Sequence, residues 1–245
     1  MDYSNYQWIS PKNDIQFNLS EQLTNDQLVD IIYDKIKTKT PFSLIRIGDG
    51  ELAVLSQELV LSQNWLKKNI WWYGNKSYCG ITMPDLKTRD IFIHSIKQAN
   101  MIGVYCDDEF TNRIFSAIDY KPKQHCYAFA NVQLCYIKKF VNLLRENPPL
   151  LIGRLAQQFA NLLKRDLNIN VSGIYTDING IDDIPKTIEY MKNIKHDWSL
   201  VSAGVNADII SPIMAREYGK VCIDYGQGMD TLLDSKYNGQ YYLNK

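Results

Sequence analysis

Two acidic side chains separated by a glycine, Asp49-Gly50-Glu51, end the run Ser43-Leu44-Ile45-Arg46-Ile47-Gly48. Carboxylates where a buried strand stops are hard oxygen donors. A pair of them suits magnesium or manganese, which complete their shells with water and substrate phosphates. Gly48 and Gly50 lack Cβ atoms, so the backbone can turn sharply there and admit a bulky ligand. At a spacing of two, an extended backbone points both acids to the same side. A structural use of the same residues weighs equally on local sequence: Asp-Gly is a common hairpin turn, and Asp49 can cap a helix over Leu52 to Leu61.

Two further stretches share this character, Ala203-Gly204-Val205-Asn206-Ala207 and Asp224-Tyr225-Gly226-Gln227-Gly228. The first runs straight into a helical pattern, so its backbone N–H groups could receive a phosphate. Glycine after a strand usually makes only a turn. Three such stretches at strand ends carry more weight together.

These residues are positioned by alternating elements. Leu28, Ile31, Ile32 and Ile36 recur at helical spacing after a cap at Thr24 or Asn25. Strand-like runs cover Phe42 to Ile47, Tyr78 to Met83, Met101 to Cys106, Leu150 to Gly153, Ile169 to Tyr175, Trp198 to Ala203 and Lys220 to Asp224. A further strand starting at His125 leads toward a helix over Tyr136 to Glu146. Helical patterns cover Leu86 to Asn100, Arg154 to Leu167, Ile184 to Ile194 and Ala207 to Tyr218. Strands separated by helices predict an α/β, Rossmann-like domain: a mainly parallel central sheet with helices on both faces. Ligands of such sheets bind outside the carboxyl ends of the strands, where the three glycine-bearing stretches fall.

The 245 residues fit one domain, with 1–22 as an N-terminal extension, and 45% hydrophobic content is ample for a core. Lys+Arg 27 against Asp+Glu 27 leaves no net charge, which argues against a nucleic-acid partner held by a basic field. Cys79, Cys106, Cys126, Cys135 and Cys222 form no C-x-x-C pair and read as buried free thiols. The stretch Met1 to Asn13 has no signal-peptide core, and no run approaches transmembrane length. The expected location is cytoplasmic, with peripheral attachment to the inner face of the membrane left open. A homo-oligomer is left open too.

Arg46-Ile47-Gly48-Asp49-Gly50-Glu51, taken with Ser202-Ala203-Gly204 and Val221-Cys222-Ile223-Asp224-Tyr225-Gly226, resembles the bacterial glycosyltransferases of GT-D fold type. Their R-x-G-D-G-E segment contains a D-x-E metal motif, and a D-x-G turn closes a strand–glycine–helix–strand unit near the C-terminus. Gly80-Ile81-Thr82 looks like the family's short G-I-P strand, so the similarity runs in patches from about Thr40 to Leu233. The resemblance implies that Asp49 and Glu51 are the D-x-E carboxylates, catalytic through a bound Mn2+ or Mg2+. It places Gly204, with its neighbour Asn206, in the nucleotide-binding region, along with Arg46, Gly48, Gly50, Asp224, Gly226 and Gln227. Members often carry histidine where this chain has Gln227, which cannot titrate.

The reaction so implied is transfer of a sugar from a nucleoside diphosphate donor, UDP-linked by expectation, to a hydroxyl of a glycan or glycoprotein. Arg46 either contacts phosphate or pairs with Asp49 or another buried carboxylate. Asp107, Asp108, Asp224 and Asp230 are the candidate bases for an inverting reaction. Trp65, Trp71, Trp72 and Tyr73 offer flat faces for a sugar or base, though core packing is the commoner use of such rings. His94, His125 and His196 lack the spacing of metal ligands. The rival readings are an S-adenosylmethionine-dependent methyltransferase, a glycoside hydrolase using Asp49 and Glu51, and a non-catalytic nucleotide- or sugar-binding module.

Overall fold

The structure is a computed structural model that describes residues 5–10 and 15–234. Of the N-terminal stretch, 1–4 and 11–14 lie outside the described residues, as does the end of the chain from 235 on. Seven strands appear in chain order: β1 (Phe42–Ile47), β2 (Met101–Val104), β3 (His125–Tyr127), β4 (Leu150–Gly153), β5 (Gly173–Tyr175), β6 (Trp198–Ser202) and β7 (Val221–Asp224). The helices are α1 (Asn25–Lys37), α2 (Asp49–Ser56), α3 (Gln63–Asn69), α4 (Lys76–Cys79), α5 (Leu86–Gln98), α6 (Glu109–Ala117), α7 (Asn131–Leu134), α8 (Lys138–Glu146), α9 (Ala156–Leu167), α10 (Ile184–Asn193), α11 (Val205–Tyr218) and α12 (Gly228–Leu233).

The strands form one sheet in the order β3-β2-β1-β7-β6-β4-β5, and every pairing between them is parallel. Parallel strands are covered on both faces, which is why β1 is a continuous buried run rather than an alternating one. Ile45 and Ile47 pack into the core under α2, α5, α6 and α11, while Phe42 and Leu44 pack into the opposite one with α1, α8 and α9. The first strand stands at the centre beside the last, with Phe42 level with Val221 and Leu44 with Ile223. The chain order therefore reverses between β1 and β7, the switch point where the crevice of an open α/β sheet forms.

Local chemistry explains the element ends that matter. Thr24 caps α1 in a reciprocal box: its hydroxyl accepts the Gln27 N–H, and Gln27 Oε1 accepts the Thr24 N–H at 2.9 Å. Asp108 caps α6 through the Thr111 N–H at 2.9 Å, so the acidic triplet Asp107-Asp108-Glu109 opens a helix. The expected strand over Tyr78 to Met83 does not form. Asn75 instead caps the single turn α4, and Gly80 ends it in a left-handed conformation with φ 87°. The expected strand at Ile169 to Tyr175 is confined to Gly173–Tyr175, and α12 occupies a stretch read as turn. No helix among the described residues is long and apolar enough to cross a membrane.

Candidate functional site

The strand that carries the acidic motif ends in a buried charge cluster. Arg46, 6% exposed, lies on β1 level with Gly103 of β2, whose missing side chain leaves room for the arginine stem. Its Nε sits 3.0 Å from Asp224 Oδ2 at the end of β7, and its Nη1 donates to the Ala128 carbonyl at 3.0 Å and Asn131 Oδ1 at 3.3 Å. The backbone N–H of Arg46 donates to Asp208 Oδ1 of α11 at 3.0 Å. Between the partners proposed for Arg46, the fold selects a buried carboxylate, Asp224. The two distant motifs R-x-G-D-G-E and D-x-G are thus one physical unit. Gly226 completes it: at φ 42°, any Cβ there would run into the Arg46 guanidinium.

The charges in this cluster do not balance. Burial works against the Arg46 charge, but Asp224, Glu51 and Asp208 outweigh it and the guanidinium stays protonated. Burial is also the main cause raising the carboxyls of Asp224, Asp208 and Glu51. Arg46 opposes it in each case, while repulsion among the acids adds to the shift. Glu51 is pushed up to about 7. One guanidinium thus faces more negative charge than it can neutralise, and the deficit opens toward the cleft through Glu51 and Asp49.

Asp49 and Glu51 sit at the first and third positions of α2, which starts immediately after Gly48. The extended spacing expected from sequence is therefore replaced by helical geometry, in which residues two apart diverge by roughly 200°. Glu51 turns back so that its carboxylate accepts the Gly48 N–H at 3.1 Å. Asp49 is exposed and accepts the Tyr78 hydroxyl. Capping and cleft lining coexist in these residues, because a helix N-terminus favours both acids.

A cavity of about 720 Å³ lies at the carboxyl ends of β1, β4, β6 and β7. Of the residues nominated by sequence, Arg46, Asp49, Gly50, Glu51, Gly204, Asn206, Gly226 and Gln227 line it, whereas Gly48 and Asp224 lie behind its wall. Among the four candidate bases Asp230 alone lines it; Asp224 is 1% exposed and held by Arg46, and Asp108 is a cap. Sequence reading missed Lys76, Tyr78, Arg154 and Asn179, which also line the cavity. Arg154 follows β4 directly, so the strand-end rule applied to Gly153 would have found it. Lys76 and Tyr78 were hidden by the strand expected in place of α4.

The wall and floor of the cavity interlock at Gly204. With φ 56°, it brings the turn before α11 so close to Cys79 that a Cβ would strike the Cys79 carbonyl. Asn206 donates Nδ2 to the Ala203 carbonyl at 2.9 Å, while its buried Oδ1 and the Ser202 hydroxyl have no hydrogen-bond partner among the described residues. Unpaired buried polar atoms beside a cleft are groups waiting for a ligand's donors and acceptors. Lys76 and Arg154 are exposed and form no ion pair among the described residues.

A divalent cation fits this donor set in kind. Asp49 and Glu51 are hard oxygen ligands in a region short of positive charge. Among the described residues, no three His, Cys, Asp or Glu side chains converge into a ready-made cage. The ion that suits two carboxylates is one that fills its shell with water and phosphate oxygens, which is the habit of magnesium and manganese.

Comparison with known proteins agrees with this architecture. A solved structure described as "The highly conserved domain of unknown function 1792 has a distinct glycosyltransferase fold" superposes with a TM-score of 0.56 at 15% sequence identity, covering 87% of this chain and 81% of that one. At that identity the likeness concerns the fold. No curated protein matches the chain. The family model for a GT-D fold-like domain matches residues 23–232, from the cap of α1 to the end of α12, and the chain belongs to this GT-D-like family.

Proposed function

We propose that the protein is a metal-dependent glycosyltransferase that moves a sugar from a nucleoside diphosphate donor, UDP-linked, to a hydroxyl of a glycan or glycoprotein. One observation carries the reading: carboxylates, unpaired cations and the start of a long helix all line a single cavity at the switch point of a glycosyltransferase fold. Bond cleavage leaves a diphosphate, so the chemistry needs positive charge where that group departs.

Asp49 and Glu51 would hold manganese or magnesium, which supplies Lewis-acid neutralisation of the leaving group. Lys76 contributes a mobile point charge and Arg154 a fork able to take two phosphate oxygens. The N–H groups at the start of α11 add the partial positive charge of a 14-residue helix. Asn206 Oδ1 and Ser202 Oγ fit the hydroxyls of a ribose or sugar, since each lacks a partner. Gln227 hydrogen-bonds without changing charge, so proton transfer falls to another group. Asp230 is placed to take the acceptor's proton. Arg46, Asp208 and Asp224 act from behind, fixing the end of β1 and the Gly226 turn.

A donor screen tests the reading. The protein is incubated with manganese and each common nucleotide sugar, and nucleoside diphosphate release is followed. Release should depend on the metal and fall by about 100-fold or more in Glu51→Gln, the scale of losing a group that stabilises developing charge. Turnover undiminished by that change removes Glu51 from the reaction.

A further inference from the structure

We infer that Trp71 and Tyr78 form an acceptor platform, a stacking surface for a sugar ring at the rim of the donor cleft. The inference rests on the glycosyltransferase reading and adds the class of acceptor: a saccharide, bound through the apolar face of a ring.

Trp71 is 82% exposed, the most exposed large apolar side chain among the described residues, and it packs into neither core. The loop carrying it is nevertheless well held. The Ile70 N–H donates to Leu66 at 2.8 Å, Tyr73 to Ile70 at 3.0 Å and Asn75 to Trp72 at 2.7 Å. The next residue, Trp72, is 4% exposed and anchors the loop in the core. A buried anchor and a turn locked by backbone bonds thus present the Trp71 ring outward. Its indole N–H has no hydrogen-bond partner among the described residues, so burial or a bond within the fold does not explain the side chain. An exposed apolar surface that the fold does not use points to a ligand or partner.

Tyr78 joins this ring to the cleft. Its ring stacks on Trp72 with centroids 4.6 Å apart and planes 16° apart, and meets Trp71 edge-on at 5.3 Å and 80°. Its hydroxyl donates to Asp49, the exposed acid of the cleft. The path from Trp71 to the proposed metal ligand is therefore one ring contact and one hydrogen bond. An acceptor ring lying on Trp71 and the rim of Tyr78 would lie next to the donor site. Rigid aromatic side chains give contact area at low entropic cost, and an indole combines a flat apolar face with a polar edge. That matches a sugar, whose C–H face is apolar and whose hydroxyls project from the ring's edge.

The size of the patch favours a small ring over a protein face. Ile9, Leu19, Leu86 and Tyr136, the other exposed large apolar side chains, belong to other elements, so the platform comprises two rings. A stable protein interface needs on the order of 1,000 Å² and several anchors.

The test uses saturation-transfer difference NMR of the full chain with lactose, maltose and chitobiose, comparing wild type, Trp71→Ala and Trp71→Phe. Wild type should transfer saturation from aromatic protons to the ring protons of at least one probe. Trp71→Ala should weaken that probe about tenfold or more, and Trp71→Phe should recover part of it, because a flat ring remains. Equal binding by wild type and Trp71→Ala, or no signal with any probe, overturns the platform. It is also overturned if Trp71→Ala abolishes co-sedimentation with vesicles of phosphatidylcholine and phosphatidylglycerol and leaves saccharides untouched, because the ring is then a membrane anchor. Donor turnover by wild type separates the two levels. Saccharide binding that depends on Trp71 without any donor turnover supports the platform and sinks the transferase reading. Donor turnover with Trp71-independent saccharide binding sinks the platform alone.

Discussion

Replacing Glu51 by glutamine should stabilise the metal-free protein while removing its activity, and the size of the gain follows from the charge cluster. The glutamine keeps the side-chain length and an Oε1 to accept the Gly48 N–H. In the folded protein, burial and the neighbouring Asp224 and Asp49 raise the Glu51 carboxyl from 4.5 to about 7 against the pull of Arg46. A folded-state carboxyl that titrates above its unfolded value holds a proton the unfolded chain has released, so stability falls as pH rises from 4.5 toward 7. Above that window the ionised side chain costs the fold about 3 kcal/mol, which the uncharged glutamine avoids. For a chain of this size the gain corresponds to roughly 6–12 °C in Tm. Thermal melts from about pH 4 to about pH 8 with chelator present should converge at the acid end and separate with rising pH, the variant melting higher. Added manganese should then raise the wild type and leave the variant unmoved. Melts that run parallel across the pH range, or a variant less stable than wild type at the alkaline end, would refute the reasoning.

Three further substitutions examine the supports of the site. Arg46→Met leaves Asp224, Asp208 and Glu51 without their shared cation and should cost about 3–5 kcal/mol in urea unfolding, as the loss of one partner from a buried ion pair does. Gly226→Ala should destabilise by more than about 2 kcal/mol, combining roughly 1–2 kcal/mol of left-handed strain with a Cβ forced into the guanidinium. Gly219→Ala, also left-handed but facing open space, should lose only the strain, and equal losses at both glycines would remove the steric argument. Tyr78→Phe keeps the ring on Trp72 but deletes the bond to Asp49. Calorimetry should show manganese binding weakened by about tenfold with the melting temperature nearly unchanged, and wild-type affinity would make that hydroxyl irrelevant to the metal.

Legibility from sequence follows the physics of each element. The strand Phe42 to Ile47 was read with its true bounds, because a parallel strand buried on both faces is a continuous apolar run ending in glycine. The cap at Thr24 was legible through its own chemistry. Short elements were not: α4 spans four residues, too few for any periodicity, and its aromatic and cysteine residues mimic a strand. Asp107 and Asp108 drew notice as carboxylates, yet Asp108 is a helix cap, a distinction that depends on where α6 starts.

In the site, residues at strand ends were found because topology makes those ends functional. Asp208 was missed because it lies inside α11, where nothing marks an aspartate as buried beneath β1. The union of Arg46 with Asp224 and Gly226 depends on the first and last strands becoming neighbours, a long-range fact that no local window contains. The aromatic stretch was read with its uses open. The fold divides it, burying Trp65 and Trp72 and leaving Trp71 in solvent.

The most direct test of the central claim is calorimetric titration of UDP into the protein with manganese and then with chelator, repeated in Asp49→Asn. Binding should be strong only when metal and both acids are present, and the variant with manganese should behave like the wild type with chelator. UDP affinity that is the same in chelator as in manganese, or unchanged by Asp49→Asn, would contradict the assignment of these carboxylates to a cation that meets the diphosphate.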